Sequence, residues 1–261
     1  MVDRTAPDAH PDASRDVRPD TRPDAAATAE PKQRWRLVVG REPDAPALAQ
    51  REVAEAWEAA LVAAGLPVAR SAGARARLRI SFGAPLATSM PAEGELIDVV
   101  LTERWPLWRV REALEACVPA GWWLVDAHDV WLAGPPLAGR VAGADYRVTV
   151  SAAQVATADV HARLSSACAA LLAAHRLPRE RTKGNASVRY DLRPLLLAVA
   201  VRPPSSSGID PIVVVARTRS HPELGSGRPE EVVAALSEAT GIPLTVESVV
   251  RERLVLIEDL D

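Results

Sequence analysis

A strand–helix–strand–strand–helix–strand pattern runs twice along this chain of 261 residues. It predicts an α+β protein of two tandem ferredoxin-like βαββαβ units behind a disordered N-terminal tail. Three observations carry that expectation. Short β-like apolar runs alternate with stripes of apolar residues three and four apart. The order of elements returns after about 100 residues, a common domain size. Hydrophobic residues make up 48% and charged residues 25%, which is enough apolar side chain to fill two cores.

Residues 1–33 stand apart. They hold five prolines, seven alanines and twelve charges, and Asp8, Asp12, Asp16, Asp20 and Asp24 recur every fourth position. On a helix those carboxylates would stack on one face, and Pro11, Pro19 and Pro23 interrupt any helix. This segment is expected to be a solvated, disordered tail. The first unit, residues 34–138, opens with a strand at Trp35–Val39. Val53, Ala56, Trp57, Ala60, Leu61 and Ala64 then form a helical stripe that Gly65 and Pro67 end. Residues 77–82 alternate charged and apolar, as a half-buried strand does. Residues 96–101 form another strand. Pro106 suits the first turn of a helix striped by Leu107, Val110, Ala113, Leu114 and Cys117. Residues 122–132 close the unit.

The junction falls in 135–144, and the second unit takes residues 139–261. It is predicted as a strand at 146–150, a helix over 159–175 and a strand over 187–201 bent at Pro194. A strand at 211–217, a helix from Pro229 to Gly241 and a final strand at 249–257 follow. In each unit two helices cover one sheet face, and the other face is left to find a partner.

Composition excludes much. Cys117 and Cys168 are the two cysteines. They cannot ligate an iron–sulfur cluster, which takes three or four, and both fall on apolar stripes where a free thiol packs as a small hydrophobe. No run of 18 apolar residues exists, so no transmembrane helix is expected, and the start of the chain lacks an apolar signal core. A cytoplasmic protein follows. The five histidines, His10, His128, His161, His175 and His221, have no metal-ligand spacing among them. Asp126 and His128 on one strand face are the nearest approach to a metal site. No nucleotide-binding loop, nucleophile elbow or zinc-protease motif occurs. Neither metal nor cofactor is expected.

The stretch AALVAAGLPVARSAGARARLRISFGAPLATSM, residues 59–90, resembles the bacterial radical SAM-linked proteins, which are encoded beside or fused to a radical SAM enzyme. Ala64–Val68, Ser71, Gly73, Arg79, Ile80, Ser81, Phe82, Gly83, Pro85 and Leu86 carry the resemblance. Asp191-Leu192-Arg193-Pro194 and Gly225–Ala235 extend it over roughly residues 34–257. Two segments depart. The family's Ser-His-Leu-Asp is Ala49-Gln50-Arg51-Glu52 here, and its Gln-Gly-Phe-Asn-Pro is Ala72-Gly73-Ala74-Arg75-Ala76. The resemblance implies a radical SAM enzyme as partner and names no reaction.

Two basic clusters are the candidate binding residues. Arg70, Arg75, Arg77 and Arg79 lie together, and on a strand Arg77, Arg79 and Ser81 would share one face. Rows of guanidinium groups suit phosphates and carboxylates, so an anion or RNA is the functional reading and a salt-bridged solvent face the plain one. Arg176, Arg179, Arg181, Lys183, Arg189 and Arg193 form the second cluster, around a loop (RERTKGNAS) that reads as flexible. On a chain of net charge −3, two such clusters segregate charge and create local anion-attracting fields. No aromatic occurs in 187–189 or 211–217, where a base-stacking sheet would carry one. Asp191, between Arg189 and Arg193, is the low-ranked catalytic candidate, as nucleophile or base. A structural Arg–Asp pair is its plain reading. Gly225-Ser226-Gly227 ahead of a helix reads as a turn and cap, since Glu230 and Glu231 already occupy the positive helix end. All seven tryptophans lie in the first unit. Trp122 and Trp123 must face opposite ways, so one ring points to the uncovered sheet face.

These observations favour a non-catalytic accessory protein that holds an anionic substrate, RNA among the candidates, for a radical SAM enzyme. An RNA-modifying enzyme of pseudouridine-synthase type centred on Asp191, and a purely structural interaction protein, are the alternatives.

Overall fold

The computed structural model describes residues 29–260 apart from 74–75, 153–156, 184–185 and 204–210. Nearly all of the expected tail, residues 1–28, lies outside the described residues, and so does Arg75. The first half runs β1 (Gln33–Arg41), α1 (Gln50–Ala63), β2 (Ile80–Phe82), β3 (Ala92–Leu101), α2 (Leu107–Glu115) and β4 (Trp122–Val130). The second runs β5 (Val141–Ala152), α3 (Thr157–Ala173), β6 (Pro178–Lys183), β7 (Ala186–Asp191), β8 (Leu196–Val201), β9 (Ile212–His221), β10 (Gly225–Ser226), α4 (Pro229–Thr240) and β11 (Leu244–Leu256). Among the described residues the fold is mixed α+β, with a nine-stranded sheet, a separate hairpin of β6 and β7, and four α-helices.

Period-two patterning sets which side chains go inward. Trp35, Leu37 and Val39 of β1 and Ile97, Val99 and Leu101 of β3 face α1 and α2, and pack with Trp57, Leu61, Val110 and Leu114. Trp57 meets Trp122 edge to face, ring centroids 5.8 Å apart. Trp123 points the other way, over Gly40, where a Cβ would lie 2.0 Å from its ring. The Glu52 carboxylate accepts the Ala49 N–H at 2.7 Å to cap α1. Gly241, at φ +63°, ends α4. The second core gathers Val148, Val150, Leu164, Cys168, Leu171, Val214, Val232 and Leu236. Burial pushes the Cys168 thiol up to about 11, so it stays protonated.

Strand neighbours run β4-β1-β3-β2 in the first half and β11-β5-β9-β8 in the second, and every pair within each half is antiparallel. The halves join edge to edge. β11 lies parallel to β3 with Arg251 opposite Ala92. That approach needs Gly94, where a Cβ would sit 2.7 Å from the Glu252 carbonyl oxygen.

Three expected elements change. The strand over 77–82 shrinks to Ile80–Phe82, because residues 77–79 pair with the chain just before them. Ser71 N–H donates to Arg77 O, and Arg79 N–H to Ala69 O. The single bent strand over 187–201 is instead β7, a short 3-10 turn at Arg193–Leu195, and β8. The loop read as flexible supplies most of β6 and the start of β7, which pair as a hairpin with its tip outside the described residues. Cys117 lies beyond the end of α2, half-buried, rather than on its stripe.

Candidate anion site

Arg34 and Arg36 alternate along β1 with its core residues and so project from the sheet face opposite α1 and α2. Asp98 of β3 stands in register with Arg36 on that face. All three are buried, Asp98 to 2% exposure. Arg34 donates to Asp98 Oδ2 through Nε and Nη2, at 2.9 and 2.6 Å. Arg36 donates through Nε to Oδ1 at 2.8 Å and through Nη2 to Oδ2 at 2.9 Å. Four charge-assisted bonds saturate one carboxylate, and two guanidinium charges meet a single negative one. Arg34 also donates to the carbonyls of Gly134 and Pro135, each at 2.9 Å, which pins the segment after β4 across this face.

Arg79 and Ser81 extend the site. Ser81 is in register with Asp98. Together with Arg34, Asp98, Leu132 and Pro136 they line a pocket of about 320 Å³. Arg79 is exposed, and among the described residues no carboxylate oxygen lies within 4 Å of its guanidinium. The lining therefore carries an excess of positive charge, with apolar walls from Ile80, Val100 and Leu132.

The structure brings together only part of the predicted first cluster. Arg79 and Ser81 reach the pocket. Arg77 is exposed outside it, and Arg70 donates to Ala76 O at 3.3 Å beside a different hollow. The second cluster is dispersed along the hairpin. Arg181 lies over the Tyr190 ring, 4.9 Å from its centroid. Arg179 pairs with Glu238 at 2.6 Å. Exposed Arg189 sits 3.7 Å from Glu180, and Arg176 sits 3.6 Å from Asp191. Lys183 ends β6, with its side chain outside the described residues. Arg193 points inward and donates to the carbonyls of Leu172, Ala174 and Leu196 at 2.7, 3.1 and 2.9 Å, which caps the C-terminal end of α3.

Asp191 works locally. Its Oδ1 accepts the Leu177 N–H at 2.7 Å and the Arg193 N–H at 3.0 Å, closing the hairpin base and starting the 3-10 turn. Burial pushes its carboxyl up, but these two N–H groups and Arg176 more than offset that, and the net direction is down. Asp126 takes Arg111 and lies 3.4 Å from His128 Nε2. Among the described residues no three His, Cys, Asp or Glu side chains cluster as metal ligands would. No described helix is long and apolar enough to cross a membrane.

Sequence reasoning missed Arg34, Arg36 and Asp98. The signal was available: arginines at alternate positions of an otherwise apolar strand, and a lone aspartate inside LIDVVL.

A family described as an uncharacterized protein conserved in bacteria (DUF2344) matches residues 34–224. No curated protein matches the chain. Among solved structures, a chain of an archaeal box H/ACA sRNP Nop10–Cbf5 complex is similar at 10% identity with a TM-score of 0.37, over 82% of this chain and 46% of that one. This chain thus spans less than half the length of that relative. An unknown protein from Galdieria sulphuraria is similar at 15% identity with a TM-score of 0.24, over 84% of this chain and 98% of that one.

Proposed function

The chain belongs to this bacterial DUF2344 family, and on that premise we propose that it is a non-catalytic accessory protein that holds an anionic substrate for a separate enzyme. The observation that carries the reading is the pocket in which Arg79 and Ser81 open beside two guanidinium groups that share one carboxylate. An exposed cation next to a cluster that itself keeps one positive charge in excess attracts an anion without a large desolvation cost of its own. RNA is the first substrate to test, because its phosphates suit exposed guanidinium groups. The separate enzyme is a radical SAM protein, a reading that rests on the sequence resemblance in residues 59–90. The strand orders of the two halves support reading each as a ferredoxin-like unit with an inserted hairpin in the second.

The test is binding of a labelled single-stranded RNA at two salt concentrations, with inorganic phosphate as competitor. Affinity should fall steeply with salt, and Arg79→Gln should weaken it by about tenfold. Binding that ignores both salt and Arg79 would overturn the proposal.

Exposed Trp108 and Trp131, at 66% and 75%, favour a second reading as a purely structural interaction protein. Capture of a radical SAM enzyme that survives reversal of charge at Arg77 and Arg79 would select it.

A further inference from the structure

β4 ends the strand order next to β1, and among the described residues nothing pairs with its outer edge. The ladder fixes which backbone groups point outward there. Val100 N–H donates to Arg79 O, and the Val100 carbonyl accepts from Ala69 N–H, so Ile97, Val99 and Leu101 are the residues of β3 that bond β1. Their partners on β1 are Leu37, Trp35 and Gln33, which leaves Arg34, Arg36 and Val38 to bond Val130, His128 and Asp126 of β4. Ala127 and Asp129 therefore turn their N–H and C=O groups away from the sheet. The Ala127 N–H is met by the neighbouring Asp126 carboxylate, at 2.7 Å.

Exposed apolar side chains gather along this edge. Val125 sits in a β-bulge of β4, and Trp131 follows its last residue. Gln33 Nε2 donates to both Trp105 O and Asp129 Oδ2, which sets the start of α2 beside the Asp129 end of β4. Arg111 of α2 pairs with Asp126, so that side of the helix faces the edge. Exposed Leu107 and Trp108 lie one turn before Arg111 on the same side. An open strand with an aromatic rim is a template for another strand.

The strand that fits is a second copy of β4. A two-fold axis that pairs an edge with itself antiparallel runs perpendicular to the sheet and passes through a residue shared by both copies. Registers that use the outward groups of Ala127 differ in what they set face to face. Centred on Asp126, two carboxylates would meet, and centred on His128, two imidazoles would. Centred on Ala127, the two Ala127 residues exchange N–H···O bonds, and each Asp126 stands opposite the other copy's His128. Within one chain His128 Nε2 lies 3.4 Å from Asp126, so acid and imidazole would alternate across the joint. This register also carries Trp131 of each copy to the bulged end of the other's β4, where Trp123 and Val125 lie.

We propose that the chain forms a symmetric dimer through the outer edge of β4, with Ala127 on the two-fold axis. The Ala127 N–H gives up its own Asp126 for the second copy's Ala127 carbonyl, and Asp126 turns to the second copy's His128. Two nine-stranded sheets then run on as one. The dimer does not depend on an anion in the Arg79 pocket.

The test is sedimentation of the full chain over about a hundredfold range of concentration, across which a dimer should grow in. His128→Asp sets carboxylates opposite one another and should weaken the dimer by about tenfold. Asp126→His combined with His128→Asp swaps the pair and should restore the dimer to within about threefold of wild type. Hydrogen exchange gives a readout that needs no variant. The Ala127 amide of the wild-type chain should exchange more slowly as concentration rises. A chain that stays monomeric over that range, a dimer indifferent to His128→Asp, a swap that fails to restore it, or an Ala127 amide that ignores concentration would each overturn the proposal.

Discussion

On the open face of the first half, Arg34 and Arg36 converge on Asp98. On the second half, Arg217 and Arg253 converge on Asp145 in the same two-to-one ratio. Arg217 donates at 2.7 and 2.9 Å and Arg253 at 2.8 Å. What separates them is water. The first trio is 7%, 8% and 2% exposed at its side chains, while the second is 31%, 49% and 19% exposed. The pockets beside them differ as well. The hollow of about 570 Å³ next to Asp145 balances Arg202 and Arg217 against Asp145 and Glu252, whereas the one beside Asp98 sets Arg34 and Arg79 against a single acid. Equal stoichiometry therefore has different consequences. In the dry cluster, losing the carboxylate strands two cations. In the wet one, solvent takes over its work.

The sharpest test of that contrast is Asp98→Asn. The neutral amide cannot neutralise Arg34 and Arg36 and cannot accept all four bonds. Stability should fall by about 3–5 kcal/mol, read as a lower urea midpoint. A loss below about 1 kcal/mol would mean that water reaches the trio, and the contrast would break.

How much of this was legible in the sequence differs between fold and site. Helix stripes such as Val53, Trp57 and Leu61 are long and periodic, and α1, α2, α3 and α4 appear close to where the sequence places them. β2 was overdrawn because alternation in 77–82 marks which way side chains point and not which chain is paired. Ser71 and Ala69 captured the backbone of 77–79. The β6–β7 hairpin was missed because its polar residues and glycine read as a loop. The tie that closes it, Asp191 to Leu177 N–H, spans 14 positions and leaves no periodic trace. Of the candidate site, Arg79 and Ser81 were legible from their shared face. Arg34, Arg36 and Asp98 left a sequence signal in their alternation with apolar residues, but which acid meets which arginine depends on the β1–β3 register, which the sequence does not show.

Asp145→Asn should cost less, about 1 kcal/mol at neutral pH. Here pH adds a second readout. Burial raises the Asp145 carboxyl, Arg217 and Arg253 more than reverse that, and the net direction is below the ordinary 3.8. A folded-state pKa below the unfolded one gives stability that is fully present above the unfolded value and is lost as pH falls through the folded value. The gap between wild type and Asp145→Asn should therefore be constant near neutral pH and close on acidification below about pH 4. A gap that widens on acidification would contradict the assigned direction.

The smallest effect is expected for Arg202→Gln. Arg202 donates to Glu252 at 3.0 Å with half of its side chain in water, and Arg147 donates to the same Glu252 at 2.5 Å. Removing one of two cations from the half-buried Glu252 carboxylate leaves that carboxylate paired. The freed side chain also regains rotamer entropy. Stability should stay within about 0.5 kcal/mol of wild type, and the difference should shrink further as salt is added. The comparison needs this null because Arg79, also exposed, has no described acid to release it from. A variant that leaves stability alone at both positions but weakens anion binding only at Arg79 would separate an arginine that holds a ligand from one that dresses a surface. A loss above about 1 kcal/mol at Arg202 would show that the wet face stores energy after all, and exposure would no longer be what distinguishes the two halves.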